Sequence, residues 1–397
     1  MEPWSTHHLY QQAAGTLGSE TAAALQRYAQ QLISQRLAVV FTLGHLSRIT
    51  GVSYQMLRDT VNRKRESSNY RMYAVKKRSG GRRFIHSVSG DLFMVQRFIN
   101  HEILQNCMPH FSSFAFHSSG GIKECAAMHC GARWLFQFDL TDFFYDITEI
   151  DVCRVFQALG YRNLLAFELA RLCTTTHLPQ CQKRLLFHSA PLDYFGRFAS
   201  RIEADESFND TPIMPYPDRS GVLGVLPQGA PTSPMLSNLV ARKLDELLYA
   251  FALDQRFVYT RYADDITFSA STFPKQQTIG KIHRNIVRLI RQAGFKENNK
   301  KTRVAGPGSR KIVLGLLVDG GEPRISKETY HRIDRHLHAS AKYGLAHVAS
   351  HEGFDSAYGF FNHLSGLIAF VKDVDQKRWH DFSYRFKKIS IPWSEDQ

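Results

Sequence analysis

The chain has 397 residues, 43% of them hydrophobic, and its 50 Lys and Arg against 36 Asp and Glu give a formal net charge of +14. That length allows two or three packed units, and the cationic excess points to a polyanionic partner, most often nucleic acid. No apolar run reaches membrane-span length, no basic amphipathic anchor stands out, and Met1-Glu2-Pro3-Trp4-Ser5 lacks the basic start and apolar core of a signal peptide, so a cytoplasmic protein without a membrane partner is expected.

The six cysteines, at 107, 125, 130, 153, 173 and 181, form no CxxC pair and read as reduced thiols. Cys173, His177 and Cys181 recur every four residues, but no fourth ligand accompanies them, and a buried helix end explains them better than a metal. Residues 19–37 are rich in Ala, Leu and Gln and predict a helix that Ser19 or Thr21 can cap. Leu43 to Arg58 has a helix, a glycine turn at Gly51 and a second helix; a packed helical hairpin is favoured over a DNA-reading pair. Two β-like runs, Met72–Val75 and Arg83–His86, flank Ser79-Gly80-Gly81 and predict a hairpin. Lys76, Lys77, Arg78, Arg82 and Arg83 crowd its tip, which suits a flap over a triphosphate or a strand backbone.

Helices are predicted over 92–106, 122–130, 149–160 and 162–174, with a buried strand over Trp134–Leu140. The acidic, Pro-rich stretch 200–220 reads as an exposed loop or insertion. Leu226-Pro227-Gln228-Gly229-Ala230-Pro231-Thr232-Ser233-Pro234 is a turn into a helix, with Ser233 as cap and Pro234 at the first helical position. Leu236, Leu239, Val240, Leu244, Leu247 and Leu248 continue it as one apolar stripe. A helix over 278–293, a strand over 311–318 and a basic helical tail from about 326, with Arg332, Arg335 and Lys342, complete the chain.

The chemistry centres on Tyr262-Ala263-Asp264-Asp265, between the β-like runs 257–261 and 266–269. Taken alone, an Asp-Asp pair at a hairpin tip is most simply a solvated turn. Asp139, at the end of a predicted strand, lies about 125 residues upstream. If that strand and the hairpin share a sheet, three carboxylates converge, and hard oxygen ligands of this kind suit Mg²⁺. Two such ions could activate a 3′-hydroxyl and steady a leaving pyrophosphate, which makes nucleotidyl transfer the expected reaction class.

Phe138-Asp139-Leu140-Thr141-Asp142-Phe143-Phe144, the turn 226–234 and Tyr262-Ala263-Asp264-Asp265 resemble, in this order, three core motifs of reverse transcriptases. The flap resembles their fingers hairpin, Asn298–Thr302 a later palm motif, and Val313-Leu314-Gly315-Leu316 the strand after it. The resemblance spans roughly residues 70–320, and the compact retron-type group of prokaryotes looks nearest. It implies an α+β right-hand polymerase: an N-terminal helical extension (1–44), fingers (45–130), palm (131–149 and 221–320), an intervening fingers/palm segment with insertion (150–220) and a helical thumb (321–397).

It also implies roles. Asp139 and Asp264 would ligate two Mg²⁺ ions, with Asp265 beside them and the Leu140 carbonyl within reach. Phe144 would exclude a ribose 2′-hydroxyl, with Asp142 and Phe143 lining the nucleotide. Gln228 and Gly229 would border nucleotide and template base, and Lys76 and Arg83 would clamp the triphosphate. Lys301 would act near the pyrophosphate as a general acid. Tyr262, Pro227, Arg332 and Arg335 would meet primer and template.

Two departures from the retron pattern bear on recognition of the partner RNA. Cys125-Ala126-Ala127-Met128-His129 stands where Asn-Ala-x-x-His is usual, and Val313-Leu314-Gly315 where Val-Thr-Gly is usual. The expected activity is RNA-directed DNA synthesis on a structured noncoding RNA from dNTPs, in antiviral defence, with an effector protein or a homo-oligomer as further partners. Untemplated or protein-primed DNA synthesis, and a non-catalytic RNA-binding subunit, stand as alternatives.

Overall fold

The computed structural model describes residues 5–76, 80–186, 216, 222–273 and 277–389, and of Lys76, Arg184 and Leu185 the backbone alone. The flap-tip residues Lys77 and Arg78, and the expected loop 200–220 apart from Tyr216, lie outside the described residues.

A helical pair, α1 (Thr6–Leu17) and α2 (Ser19–Ser34), comes first, divided at Gly18. Thr42 and Ser53 cap α3 (Leu43–Thr50) and α4 (Tyr54–Val61), each accepting an otherwise unpaired backbone N–H. Then follow α5 (Glu66–Asn69), β1 (Tyr70–Lys76), β2 (Arg82–Val88), α6 (Gly90–Glu102), α7 (Ile122–Ala127) and β3 (Trp134–Asp139). A Thr148–Asp151 capping box starts α8 (Glu149–Ala158), and α9 (Asn163–Cys173) follows it. The remaining elements are α10 (Ser233–Val240), α11 (Arg242–Gln255), β4 (Val258–Tyr262), β5 (Asp265–Ala270), α12 (Ile279–Gln292), β6 (Arg303–Ala305), β7 (Ile312–Val313), β8 (Leu316–Leu317), α13 (Lys327–Tyr343), α14 (Leu345–His351), α15 (Ala357–Lys372) and α16 (Gln376–Lys387). The fold is α+β, with antiparallel sheets.

These local expectations need correction. Gly18, not Ser19 or Thr21, is the N-cap of α2, and no side chain caps that end. Residues 311–318 are not one strand but the hairpin β7–β8, because Leu314 and Gly315 take φ of +50° and +86°, the backbone of a tight two-residue turn. Thr232, not Ser233, is the N-cap of α10, which moves Ser233 into the helix. The apolar stripe from Leu236 to Leu248 is cut at Ala241 into α10 and α11.

One compact unit comprises Met1–His117, Leu140–Tyr249 and His283–Asn298. Its helices meet around a buried ion cluster in which Arg63 bonds Glu149 and the Thr174 carbonyl, while Arg171 lies 3.5 Å from Glu149. Removing one member of such a cluster costs about 3–5 kcal/mol. In β1–β2 the register runs from Tyr70↔Val88 to Lys76↔Arg82.

The second unit comprises Ser118–Asp139, Ala250–Ile282 and Asn299–Gln397. Its sheet has the order β4-β5-β3-β6, all pairs antiparallel. Strand alternation divides it into two faces. Phe136, Phe138, Ile266 and Phe268 form a buried aromatic face, with Phe257 and Tyr259 packed edge-on or tilted against Phe268. Asp139, Gln137, Asp265, Thr267, Ser269 and Thr260 share the opposite, polar face. Helices α13 to α16 close around Ile333, Leu337, Phe360, Leu364 and Phe382. Among the described residues no helix is long and apolar enough to cross a membrane.

Candidate active site

The hairpin β4–β5 pairs Tyr262 with Asp265, leaving Ala263 and Asp264 as its two-residue turn. Ala263 has φ of +55°, a conformation that costs a non-glycine residue free energy and persists only where its surroundings hold it. The fully buried Arg261 supplies one such hold, donating from Nη1 to the Ala263 carbonyl at 3.1 Å. In β3, Asp139 stands opposite Asp265, so both carboxylates leave the same face of the sheet. Asp264 sits next to them in the turn.

Lys301 Nζ donates to Asp139 Oδ2 at 2.6 Å. Partial burial works against its charge, but the hydrogen bond and charge of Asp139, with Asp264 and Asp265, outweigh it and hold Lys301 above the usual lysine range. Asp265 is pushed up to about 6, first by desolvation and then by the like charges of Asp264 and Asp139, with Lys301 opposing. It also lines an open groove of about 550 Å³ with Gln137, Thr267, Arg303 and Arg310, so its carboxylate stays within reach of solvent ions.

This donor set fits Mg²⁺. Among the described residues no three His, Cys, Asp or Glu side chains gather into a ready-made metal cage. A Mg²⁺ ion that keeps its waters and leans on substrate phosphates needs only one or two carboxylates. The ammonium already seated on Asp139 shows that a cation is favoured there.

In the first unit the nucleotide-facing candidates are built around Gln228-Gly229. The Gln228 carbonyl accepts from the His86 N–H of β2 at 2.7 Å. Gly229 has φ of +112°, and a Cβ there would lie 2.7 Å from the His86 carbonyl oxygen and 2.9 Å from Ile85 Cγ2. Only glycine fits this approach. The flap strand is thus fastened to the turn, and Tyr145 adds a bond from its hydroxyl to the Phe84 carbonyl at 3.4 Å. Arg83 is exposed on β2, paired in register with Val75. Pro227 is buried, Gln228 half-buried and Gly229 exposed.

Phe143 is buried against Phe295, whereas Phe144 is half-buried, 6.4 Å from Phe116 between ring centroids. Asp142 is exposed with φ of +49° and accepts from Gln182 at 3.4 Å. Leu140 is buried and bridges to Glu297, and the next N–H, that of Thr141, donates to the Lys296 carbonyl at 2.8 Å.

The family model for reverse transcriptase (RNA-dependent DNA polymerase) matches residues 201–318. The retron Ec86 reverse transcriptase of Escherichia coli is 28% identical over 343 residues, covering 86% of this chain and 87% of its own. The retron Mx65 reverse transcriptase of Myxococcus xanthus is 30% identical over 360 residues, covering 90% of this chain and 74% of its own. The chain belongs to the retron-type reverse transcriptases.

This retron-type reverse transcriptase is therefore an RNA-directed DNA polymerase. Among solved structures, a telomerase from Candida albicans in complex with a fragment of telomeric RNA aligns at a TM-score of 0.36 and 13% identity, over 81% of this chain and 56% of that one.

The remaining expected contacts of the reverse transcriptase fall as follows. Tyr262 is half-buried at the end of β4, on the face that carries Asp265. On α13, Arg335 is exposed, whereas Arg332 is half-buried and its Nε has no hydrogen-bond partner among the described residues. Sequence reasoning missed Arg261 and a polar cluster of Cys125, His129, Thr260 and Ser269 behind the acid-bearing hairpin. Cys125 and His129 stood out in the sequence only as a departure from the retron pattern, and their link to Thr260 and Ser269 spans more than a hundred residues.

Proposed function

We propose that this reverse transcriptase copies a structured noncoding RNA into DNA by two-metal nucleotidyl transfer, in defence against phage. The observation that carries the chemistry is Asp139 facing Asp265 in one register, with Asp264 in the adjoining turn and Lys301 on Asp139. The named relatives are retron enzymes, which supports a dedicated RNA as template.

In this mechanism a 3′-oxygen forms a bond to the α-phosphorus of a dNTP, the α–β phosphoanhydride bond breaks, and pyrophosphate leaves. Mg²⁺ ions held by Asp139, Asp264 and Asp265, with the Leu140 carbonyl, would supply Lewis acidity to the attacking and leaving oxygens. Lys301 gives its proton to the pyrophosphate. Phe144 closes the space a 2′-hydroxyl would need, with Asp142 and Phe143 beside it. Gln228 and Gly229 border the base pair, and Lys76 and Arg83 hold the triphosphate. Tyr262 and Pro227, with Arg332 and Arg335 on α13, meet primer and template. Residues 1–44 serve as an extension, 45–130 and part of 150–220 as fingers, 131–149 and 221–320 as palm, and 321–397 as thumb.

The test is to purify the enzyme with its flanking RNA co-expressed and supply Mg²⁺ and dNTPs. DNA complementary to that RNA is expected from the wild type and none from the Asp264→Asn variant. DNA unrelated to the RNA, or a product still joined to peptide after nuclease and protease treatment, would instead favour untemplated or protein-primed synthesis. The defence role is tested separately, by phage challenge of cells carrying wild-type or Asp264→Asn enzyme.

A further inference from the structure

We infer that His129 and Cys125 are positioning residues for the acid-bearing hairpin: an internal hydrogen-bonded clamp that fixes β4 against β5 and so sets Asp264 and Asp265 relative to Asp139. The inference rests on the catalytic role proposed above for those acids.

His129 is fully buried just beyond α7. Its Nε2 lies 2.7 Å from Thr260 Oγ1 on β4, and its Nδ1 lies 2.7 Å from Ser269 Oγ on β5. Cys125, also buried, donates from Sγ to the same Thr260 Oγ1 at 3.3 Å. One order of protons satisfies the whole cluster. Cys125 S–H donates to Thr260, the Thr260 hydroxyl donates to Nε2, and Nδ1–H donates to Ser269. Burial favours the neutral ring that this order needs, pushing the His129 pKa down to about 3. The Cys125 thiol is pushed up to about 11, so it keeps its proton.

The register shows why these contacts matter. Thr260 pairs with Thr267, and Ser269 lies two residues beyond Thr267 on the same face. Asp265 and Asp139 occupy that face too. The ring therefore ties together both strands of the hairpin on the side where the acids emerge, about 13 Å along β5 from Asp265. Among the described residues the strand order leaves β4 at the edge of the sheet, paired with β5 alone. An edge strand held by one ladder can splay and twist. The clamp supplies β4 with a second hold at Thr260, next to Arg261, which holds the strained turn.

A histidine that merely fills the core would affect stability alone. A histidine that reads RNA would need exposed surface, and neither His129 nor Cys125 presents any. The clamp makes a different prediction, because shifted acids alter turnover and metal demand in an enzyme that is still folded.

The test uses the full-length enzyme with oligo(dT)-primed poly(rA), a template without the structure of a partner RNA. Thr260→Val and Ser269→Ala each remove one hydroxyl with little change in volume, and Thr260→Ser retains it. Single-turnover dTTP incorporation is measured well below each variant's Tm. The Val and Ala variants are expected to lose about ten- to a hundredfold in maximal rate. The Mg²⁺ needed for half-maximal rate should rise several-fold, dTTP affinity should stay within about twofold, and Thr260→Ser should match the wild type. Wild-type rate and Mg²⁺ demand in the Val and Ala variants, whatever their Tm, would overturn the clamp. So would a defect confined to binding a structured RNA. Asp264→Asn serves as the separate control: if it stays active, the reading of the acids fails rather than the clamp.

Discussion

Asp139 and Asp265 stand directly opposite each other across β3 and β5, two carboxylates on one face with Asp264 beside them. Like charges in directly opposed positions destabilise a sheet by about 0.2–1 kcal/mol. Lys301, 2.6 Å from Asp139, relieves part of that repulsion. The sheet thus gives up stability at the place where the proposed divalent cation would bind. Asp265→Asn is expected to raise Tm by about 1–2 °C at low ionic strength while abolishing most polymerase activity. Added Mg²⁺ is expected to raise the wild-type Tm, by about 1.4 kcal/mol of stabilisation at ten times its Kd. Neither Ca²⁺-free EDTA buffer nor the Asp139→Asn/Asp264→Asn double variant should show that rise. Differential scanning calorimetry across a Mg²⁺ series decides the matter, and an equal rise in the double variant would exclude these acids as ligands.

Gly229 offers a sharper steric test. An alanine Cβ would press within 2.7 Å of the His86 carbonyl oxygen, at a backbone φ of +112° that L-residues avoid. Gly229→Ala should cost about 1–3 kcal/mol through strain alone. It should also loosen the Gln228–His86 bond that fastens the flap strand, raising KM for dNTPs more than it lowers kcat. Urea unfolding and steady-state kinetics of the purified variant check both parts. Unchanged KM would separate this turn from nucleotide binding.

Much of this was legible because strand alternation and turn chemistry are local. The strand ending at Asp139, the hairpin around Ala263-Asp264 and the glycine of the Gln228 turn follow from the residues themselves. The β7–β8 hairpin was not legible, because Leu314 is a non-glycine residue that adopts a positive φ only within its tertiary setting. The clamp was hidden for a related reason. Cys125 and His129 find Thr260 and Ser269 more than a hundred residues away, and nothing local announces the pairing. Nor does periodicity reveal which segments join each compact unit, since both units are assembled from three separated stretches of chain.

On the proposed reading, Phe144 selects the sugar. It is half-buried, with Phe143 and Phe116 at ring distances of 5.6 and 6.4 Å to limit its movement. Phe144→Ala should raise the ratio of rNTP to dNTP incorporation by at least about tenfold, a difference of about 1.4 kcal/mol in transition-state discrimination. Phe144→Tyr, which keeps the ring, should preserve the wild-type preference. Competition between dGTP and GTP on one template measures the ratio. An unchanged value in the alanine variant would assign sugar selection elsewhere.

The exposed face of α13 presents Lys327, His331, Arg335, His338 and Lys342 at helical spacing. A stripe of this kind binds phosphates by releasing counterions, so affinity for nucleic acid should fall linearly in log–log form with salt. Replacing Arg335 by Glu should weaken binding to unrelated RNA sequences about equally and flatten the salt slope by about one. Filter binding at several KCl concentrations gives the slope, and a sequence-selective loss would argue against a backbone contact.

His129 also gives acid stability a definite sign. Its folded pKa is pushed down to about 3 by burial, from an unfolded value near 6.5. Above pH 6.5 the ring is neutral in both states and its contribution is complete. As the pH falls, the unfolded chain takes up a proton that the folded ring refuses, so stability drops by up to about 1.4 kcal/mol per pH unit. Asp146 and Glu168 act oppositely: burial raises each to about 7, so both gain relative stability as the pH falls from 7 towards the ordinary carboxylate range. The net curve therefore mixes signs, and the difference between wild type and His129→Asn isolates the histidine. Urea unfolding at pH 7.5 and pH 5 should show a larger loss in the wild type than in the variant, by about 2 kcal/mol at most. Equal losses would mean that His129 takes up its proton in the folded state, and the hydrogen-bond order through Thr260 and Ser269 would then have to be reversed at one end.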